Sequence, residues 1–129
     1  MESSPKPVNP HKPLVGVVGV CAAGKSTLIT GLTSLGVRTR HIAQEHSYVK
    51  DMWKRITNPD FLIFLDATHS TTIARRHLNW NEDEWAEEQR RLRHARGHAD
   101  LLIETDNLTP EEVLSQVVIF LKKAGYFQE

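Results

Sequence analysis

The stretch "LVGVVGVCAAGKST", residues 14–27, limits the folds open to this 129-residue chain more than any other segment. Residues 14–20 form a short valine-rich apolar run with no polar face, which is how a strand buried on both sides of a parallel sheet reads. Small residues and Gly24-Lys25-Ser26-Thr27 follow. Leu28, Ile29, Leu32 and Leu35 then recur at helical spacing over residues 25–35, up to Gly36 at a C-cap position. A buried strand, a glycine-rich turn and an amphipathic helix therefore stand in a row.

The rest of the chain repeats the alternation. Residues 37–43 suit a second, less apolar strand, and residues 48–56 a short helix ended by Asn58-Pro59. "DFLIFLDA", residues 60–67, is another strand of the buried kind, followed by a helical region over 70–78. Asn81 can cap the next helix with Glu84 as its capping-box partner, and that helix should end near Gly97. "ADLLIETD", residues 99–106, reads as a further strand. Thr109, Pro110 and Glu112 open a last helix whose apolar face holds Val113, Leu114, Val117, Val118, Phe120 and Leu121. The order predicts an α/β three-layer sandwich around a mostly parallel sheet of four to five strands. One domain is expected over residues 14–125, with 126–129 as a short tail. Residues 1–13, with Pro5, Pro7, Pro10 and Pro13, are expected to be disordered.

Sixteen basic residues balance sixteen acidic ones, so the chain has no general electrostatic reason to bind nucleic acid or an anionic membrane. Any anion site must be built locally. Cys21 is the only cysteine, which excludes an intrachain disulfide and fits a reducing compartment. "MESSPKPVNPHKP" has no apolar signal region, and no stretch approaches the length of a membrane span. A cytoplasmic location is expected.

Gly19-x-x-x-x-Gly24-Lys25-Ser26 fits a phosphate-binding pattern. Glycines let the backbone curl so that successive N–H groups face an anion, and the helix beginning near Lys25 adds its positive dipole end. The candidate nucleotide-binding segment is Gly19, Val20, Cys21, Ala22, Ala23, Gly24, Lys25, Ser26 and Thr27. Lys25 is placed to reach β- and γ-phosphates, Ser26 to give its hydroxyl to Mg²⁺, and Thr27 to bond an α-phosphate. The backbone N–H of Cys21 matters in such a loop, and its thiol is incidental.

"GVCAAGKST", the strand "DFLIFLDA" followed by Arg75 and Arg76, and the closing "HADLLIETDNLTPEEVLSQVVIFL" together resemble the P-loop kinases, the group of nucleoside monophosphate, shikimate and gluconate kinases. The resemblance implies a central first strand flanked by the 37–43 and 60–67 strands. Gln44, Glu45 and His46 would then end one neighbour and Asp66 the other, facing the phosphates. It implies Lys25, Glu45, Asp66, Arg75 and Arg76 as catalytic residues, Ser26 and Glu45 as Mg²⁺ holders, and ATP and Mg²⁺ as cofactors. Asn-Lys-x-Asp and Asp-x-x-Gly are both missing, which favours ATP over GTP. Arg90, Arg91, Arg93 and Arg96 lie where a lid would be, but Glu87 four residues before Arg91 favours a salt-bridged surface helix.

The implied function is a small kinase moving the γ-phosphoryl of ATP to a small acceptor, or alternatively a slow NTPase or nucleotide-binding regulatory module. Leu35-Gly36-Val37 runs almost directly into the next strand, so no acceptor-binding insertion is evident. A second copy could complete the site, with Tyr48, Met52 and Trp53 as a dimer face. His94 and His98 stand at a metal-binding spacing but lack a third ligand. Trp53, Trp80 and Trp85 are expected to pack rather than to stack on bases.

Overall fold

The computed structural model describes residues 9–76, without the side chain of Arg76, and residues 81–128. Residues 1–8 of the expected tail and Trp80 lie outside them. Strands β1 (Val15–Gly19), β2 (Thr39–His41), β3 (Phe61–Asp66) and β4 (Leu101–Glu104) form one parallel sheet in the order β2-β1-β3-β4. Helices α1 (Lys25–Ser34), α2 (His69–Arg76), α3 (Glu82–His98) and α4 (Pro110–Lys123) connect and follow them.

Side chains alternate between the two faces of a strand, so β3 reports which helices lie where. Phe61 meets Phe120 of α4 edge-on, with ring centroids 5.9 Å apart. Phe64, of opposite parity, lies under the Arg96 guanidinium of α3 at 4.7 Å. Helices α4 and α3 therefore cover opposite faces, and α1 packs beside α4: a Cβ on Gly31 would stand 2.9 Å from Leu114. These are the three layers that the alternation predicts. Every residue of β1 is buried, as a central strand requires.

The amino ends of β3 and β4 share a fastening. The residue just before β3, Asp60, donates its N–H to Leu14 O at 2.9 Å and accepts the Leu14 N–H on Oδ2 at 2.7 Å. Asp100, just before β4, does the same to Leu62, at 2.8 Å and 2.7 Å. Both expected capping boxes are present, Asn81 with Glu84 and Thr109 with Glu112.

The 37–58 region departs from expectation. The second strand is only three residues long, and Gln44–His46 form a 3₁₀ turn. In place of a regular helix over 48–56, Trp53–Thr57 form one π-helical turn, closed by Asn58 N–H to Trp53 O at 3.1 Å with Asn58 left-handed. The buried Gln44 side chain dictates this path. It accepts the Trp53 N–H at 2.9 Å and donates to Val49 O at 2.8 Å.

At the other end, Tyr126 is buried and takes the Arg38 N–H on its hydroxyl at 2.8 Å. Lys12 Nζ donates to Tyr126 O at 2.6 Å, which ties residue 12 to the chain beyond α4. Among the described residues no helix is long and apolar enough to cross a membrane.

Candidate anion-binding site

The turn between β1 and α1 has an unusual backbone. A Cβ on Gly19 would lie 2.0 Å from Leu65 O, so only glycine lets β1 pass this close to the end of β3. Val20 N–H then bonds Leu65 O at 3.1 Å. Ala22 is left-handed at φ 65°, a conformation that costs a non-glycine residue about 1–2 kcal/mol. Gly24 is left-handed at φ 97° immediately before α1. Strain held at a turn of this kind is an observation from which function is inferred.

Helix α1 has no side-chain cap and no acidic residue in its first turn. Among the described residues, the amides of Ala22, Gly24, Lys25, Ser26 and Thr27 take no backbone or side-chain acceptor. The same five residues, at the positive end of the helix, line a cavity of about 360 Å³ together with His41, Glu45 and His46. A second cavity, about 170 Å³, lies on the other side of the turn against Leu28, Arg75, Thr105, Leu108 and Val113.

Lys25 is 7% exposed, and its ammonium is fully engaged. It donates to Glu45 Oε2 at 2.6 Å, Gly19 O at 2.7 Å and Val20 O at 3.0 Å. The lysine thus fastens the turn from inside. Glu45, 5% exposed, keeps Oε1 without a hydrogen-bond partner among the described residues. An unsatisfied buried acceptor costs about 1–3 kcal/mol.

Glu88 of α3, also 5% exposed, accepts the Cys21 N–H on Oε1 at 2.6 Å. Burial holds its carboxyl above the ordinary glutamate range. The Cys21 hydrogen bond opposes that shift and the charge of Glu45 adds to it. The Cys21 amide, expected to face an anion, already faces a carboxylate.

The other candidate residues divide between places. Arg75 holds the turn from α2, donating to Ala22 O at 3.1 Å and to Thr105 Oγ1 at 2.9 Å. Arg76 ends α2, with its side chain outside the described atoms. Asp66 is not beside Glu45. It accepts from Ala67 N–H at 3.0 Å and from Arg96 at 2.7 Å, and lines a separate cavity of about 380 Å³ with Trp85, Gln89 and Glu104. Arg90 pairs with Glu87 on the surface, while Arg91 covers the Tyr48 ring at 4.2 Å and donates to Glu45 O.

Trp53 is buried, so it is not part of an open dimer face. Its indole donates to His94 Nδ1 at 3.0 Å. A neutral His94 then carries its proton on Nε2, which removes the lone pair a metal would need. For Mg²⁺, Glu45 has one oxygen left beside the Lys25 ammonium. Among the described residues no group of three or more His, Cys, Asp or Glu is placed to hold a metal ion.

Glu88 was legible in one respect. Trp85, Leu92 and Ala95 mark the inward stripe of α3, and Glu88 interrupts that stripe at helical spacing. Gln44 and Thr105 left no such signal.

Comparison with known proteins corrects the family expectation. No family model matches this chain. No curated protein matches it either. A solved structure similar to it is the crystal structure of ribose-5-phosphate isomerase B from Giardia lamblia, at 16% identity, covering 84% of this chain and 87% of that one, with a TM-score of 0.48. That protein is an isomerase, not a P-loop kinase. The expected membership of the P-loop kinases is withdrawn, and with it the expected function as an ATP-binding kinase, slow NTPase or nucleotide-binding regulatory module. At a TM-score this low, the likeness carries no inference to isomerase chemistry here.

Proposed function

We propose that the 19–27 turn binds the phosphoryl group of a small phosphorylated molecule. One observation supports this above all: the amides of Ala22, Gly24, Lys25, Ser26 and Thr27 have no acceptor among the described residues, and all five residues line one cavity at the uncapped start of α1. Adjacent unpaired N–H groups with a helix dipole behind them are the physical requirement for an anion cradle. The two left-handed residues, Ala22 and Gly24, give the turn its curl. The smaller cavity against Leu28, Leu108 and Val113 suits the uncharged part of such a ligand, with Arg75 at its rim.

The test is an amide-resolved NMR titration of the intact chain with inorganic phosphate, a sugar phosphate, and ATP with and without Mg²⁺. The reading expects saturable shifts centred on Ala22 to Thr27 with at least one of these probes. Shifts confined to other residues, or none at millimolar phosphate, would refute it.

A further inference from the structure

The charges around the turn are not those of a simple phosphate site. Two buried carboxylates, Glu45 and Glu88, face one buried ammonium, Lys25. Lys25 is already paired with Glu45, and Glu88 has no ion pair among the described residues. A phosphoryl group entering here would add negative charge to a place already in excess of it.

Both carboxylates also line a neighbouring cavity of about 450 Å³, together with Asp83, Glu84, Glu87 and Arg91. The guanidinium of that wall is engaged: Arg91 lies over Tyr48 and stands 3.4 Å from Glu87, and the imidazole of His46 is the other basic group there. Glu84 closes the capping box on Asn81. What remains is the buried Oε1 of Glu45, which has no hydrogen-bond partner among the described residues, and Glu88, which accepts the Cys21 N–H.

We infer that the ligand of this site carries a primary ammonium group beside its phosphoryl group, and that Glu45 Oε1 and Glu88 receive the ammonium. The inference rests on the phosphoryl-binding reading of the turn. The two ends of the ligand must be close, because Glu88 stands 2.6 Å from the Cys21 amide and Glu45 lines both cavities. The three N–H donors of an ammonium suit single oxygens offered by separate carboxylates. Mg²⁺ suits them less, since it demands near-octahedral oxygen ligation and the Lys25 ammonium occupies the other oxygen of Glu45. The ligand class is thus a small phosphorylated amine.

Two probes of equal size decide it: O-phosphoethanolamine, and n-propyl phosphate, in which a methyl group replaces the ammonium. Calorimetry on the intact chain should show the amine binding about tenfold tighter or better, the contribution of one buried charge pair. Glu88→Gln keeps an acceptor for the Cys21 N–H and should abolish most of that preference, while n-propyl phosphate binds it as well as or better than it binds wild type. Glu45→Gln, checked for folding by circular dichroism, should do the same. Equal affinity of the two probes for wild type would overturn the inference, as would a preference that survives both substitutions. So would phosphate binding that requires Mg²⁺ and ignores the amine. If n-propyl phosphate shifts the turn amides and the amine gains nothing, the phosphoryl reading stands and the ammonium site alone is wrong. If neither probe nor inorganic phosphate touches those amides, both fall.

Discussion

Gly19 and Gly24 flank the same turn, yet the structure assigns them different reasons for being glycine. A methyl group on Gly19 would stand 2.0 Å from Leu65 O and 2.9 Å from Leu65 N, both backbone atoms of a buried strand. Neither can swing aside as a side chain would. Relief requires β1 and β3 to separate locally, and the Val20 N–H···O Leu65 bond at 3.1 Å is the first to go. Overpacking of about 1–3 kcal/mol plus one buried hydrogen bond of about 1 kcal/mol puts Gly19→Ala at roughly 2–4 kcal/mol. At Gly24 an added methyl meets nothing within 4 Å, so only the left-handed backbone at φ 97° opposes it. That predicts about 1–2 kcal/mol for Gly24→Ala. Urea unfolding followed by tryptophan fluorescence and far-ultraviolet circular dichroism measures both. Gly19→Ala should lose more stability than Gly24→Ala, by about 1–2 kcal/mol at the middle of the two ranges. If they lose stability equally, the close approach of β1 to the end of β3 is not what selects glycine at position 19.

Lys25→Met should destabilise the fold by about 3–5 kcal/mol, because it strands the buried Glu45 charge, and Lys25→Met/Glu45→Leu should recover most of the loss in the same urea assay. A single Lys25 variant is therefore a poor probe of anion binding, and a double variant as destabilised as the sum of its singles would refute the coupling. Glu88 supplies a pH signature. Its carboxyl titrates above the ordinary value in the folded chain, so the folded chain holds that proton to higher pH than the unfolded chain, and stability falls as pH rises through this window. Glu88→Gln should melt higher than wild type at about pH 8, with the gap closing toward about pH 4, where both chains are protonated. A gap that stays constant across that range would contradict the assignment.

Strands β1 and β3 were legible because they are apolar on both faces, and helices α3 and α4 because they carry their own punctuation. Asn81 with Glu84 and Thr109 with Glu112 are local pairs, and local pairs survive in any context. The 44–58 segment was not legible, since its path is set by Gln44 reaching Val49 and Trp53, and nothing in the periodicity distinguishes that glutamine from a surface one. The turn at Gly19 to Gly24 was read as an anion cradle from spacing alone. That spacing describes a strand, a curl and a helix start, features that do not specify a family. What surrounds the curl came from far along the chain: Glu45 across the sheet edge, Glu88 from α3, and Arg75 and Thr105 at its back. Arg91 and Arg96 had been grouped as lid candidates, yet one covers Tyr48 and the other pairs with Asp66.

The paired aspartates at the amino edge of the sheet bear on how the strands find their alignment. A parallel strand that slips by one residue turns its inward side chains outward, but a strand apolar on both faces has little to lose by doing so. Strands β1 and β3 are of that kind. Asp60 and Asp100 add an index: Asp60 binds both backbone polar atoms of Leu14, just before β1, and Asp100 both of Leu62 in β3. The sheet is keyed at one end in the way a zip is seated in its box before it is drawn, so Asp60→Ala combined with Asp100→Ala would leave the apolar interior intact while making its register ambiguous.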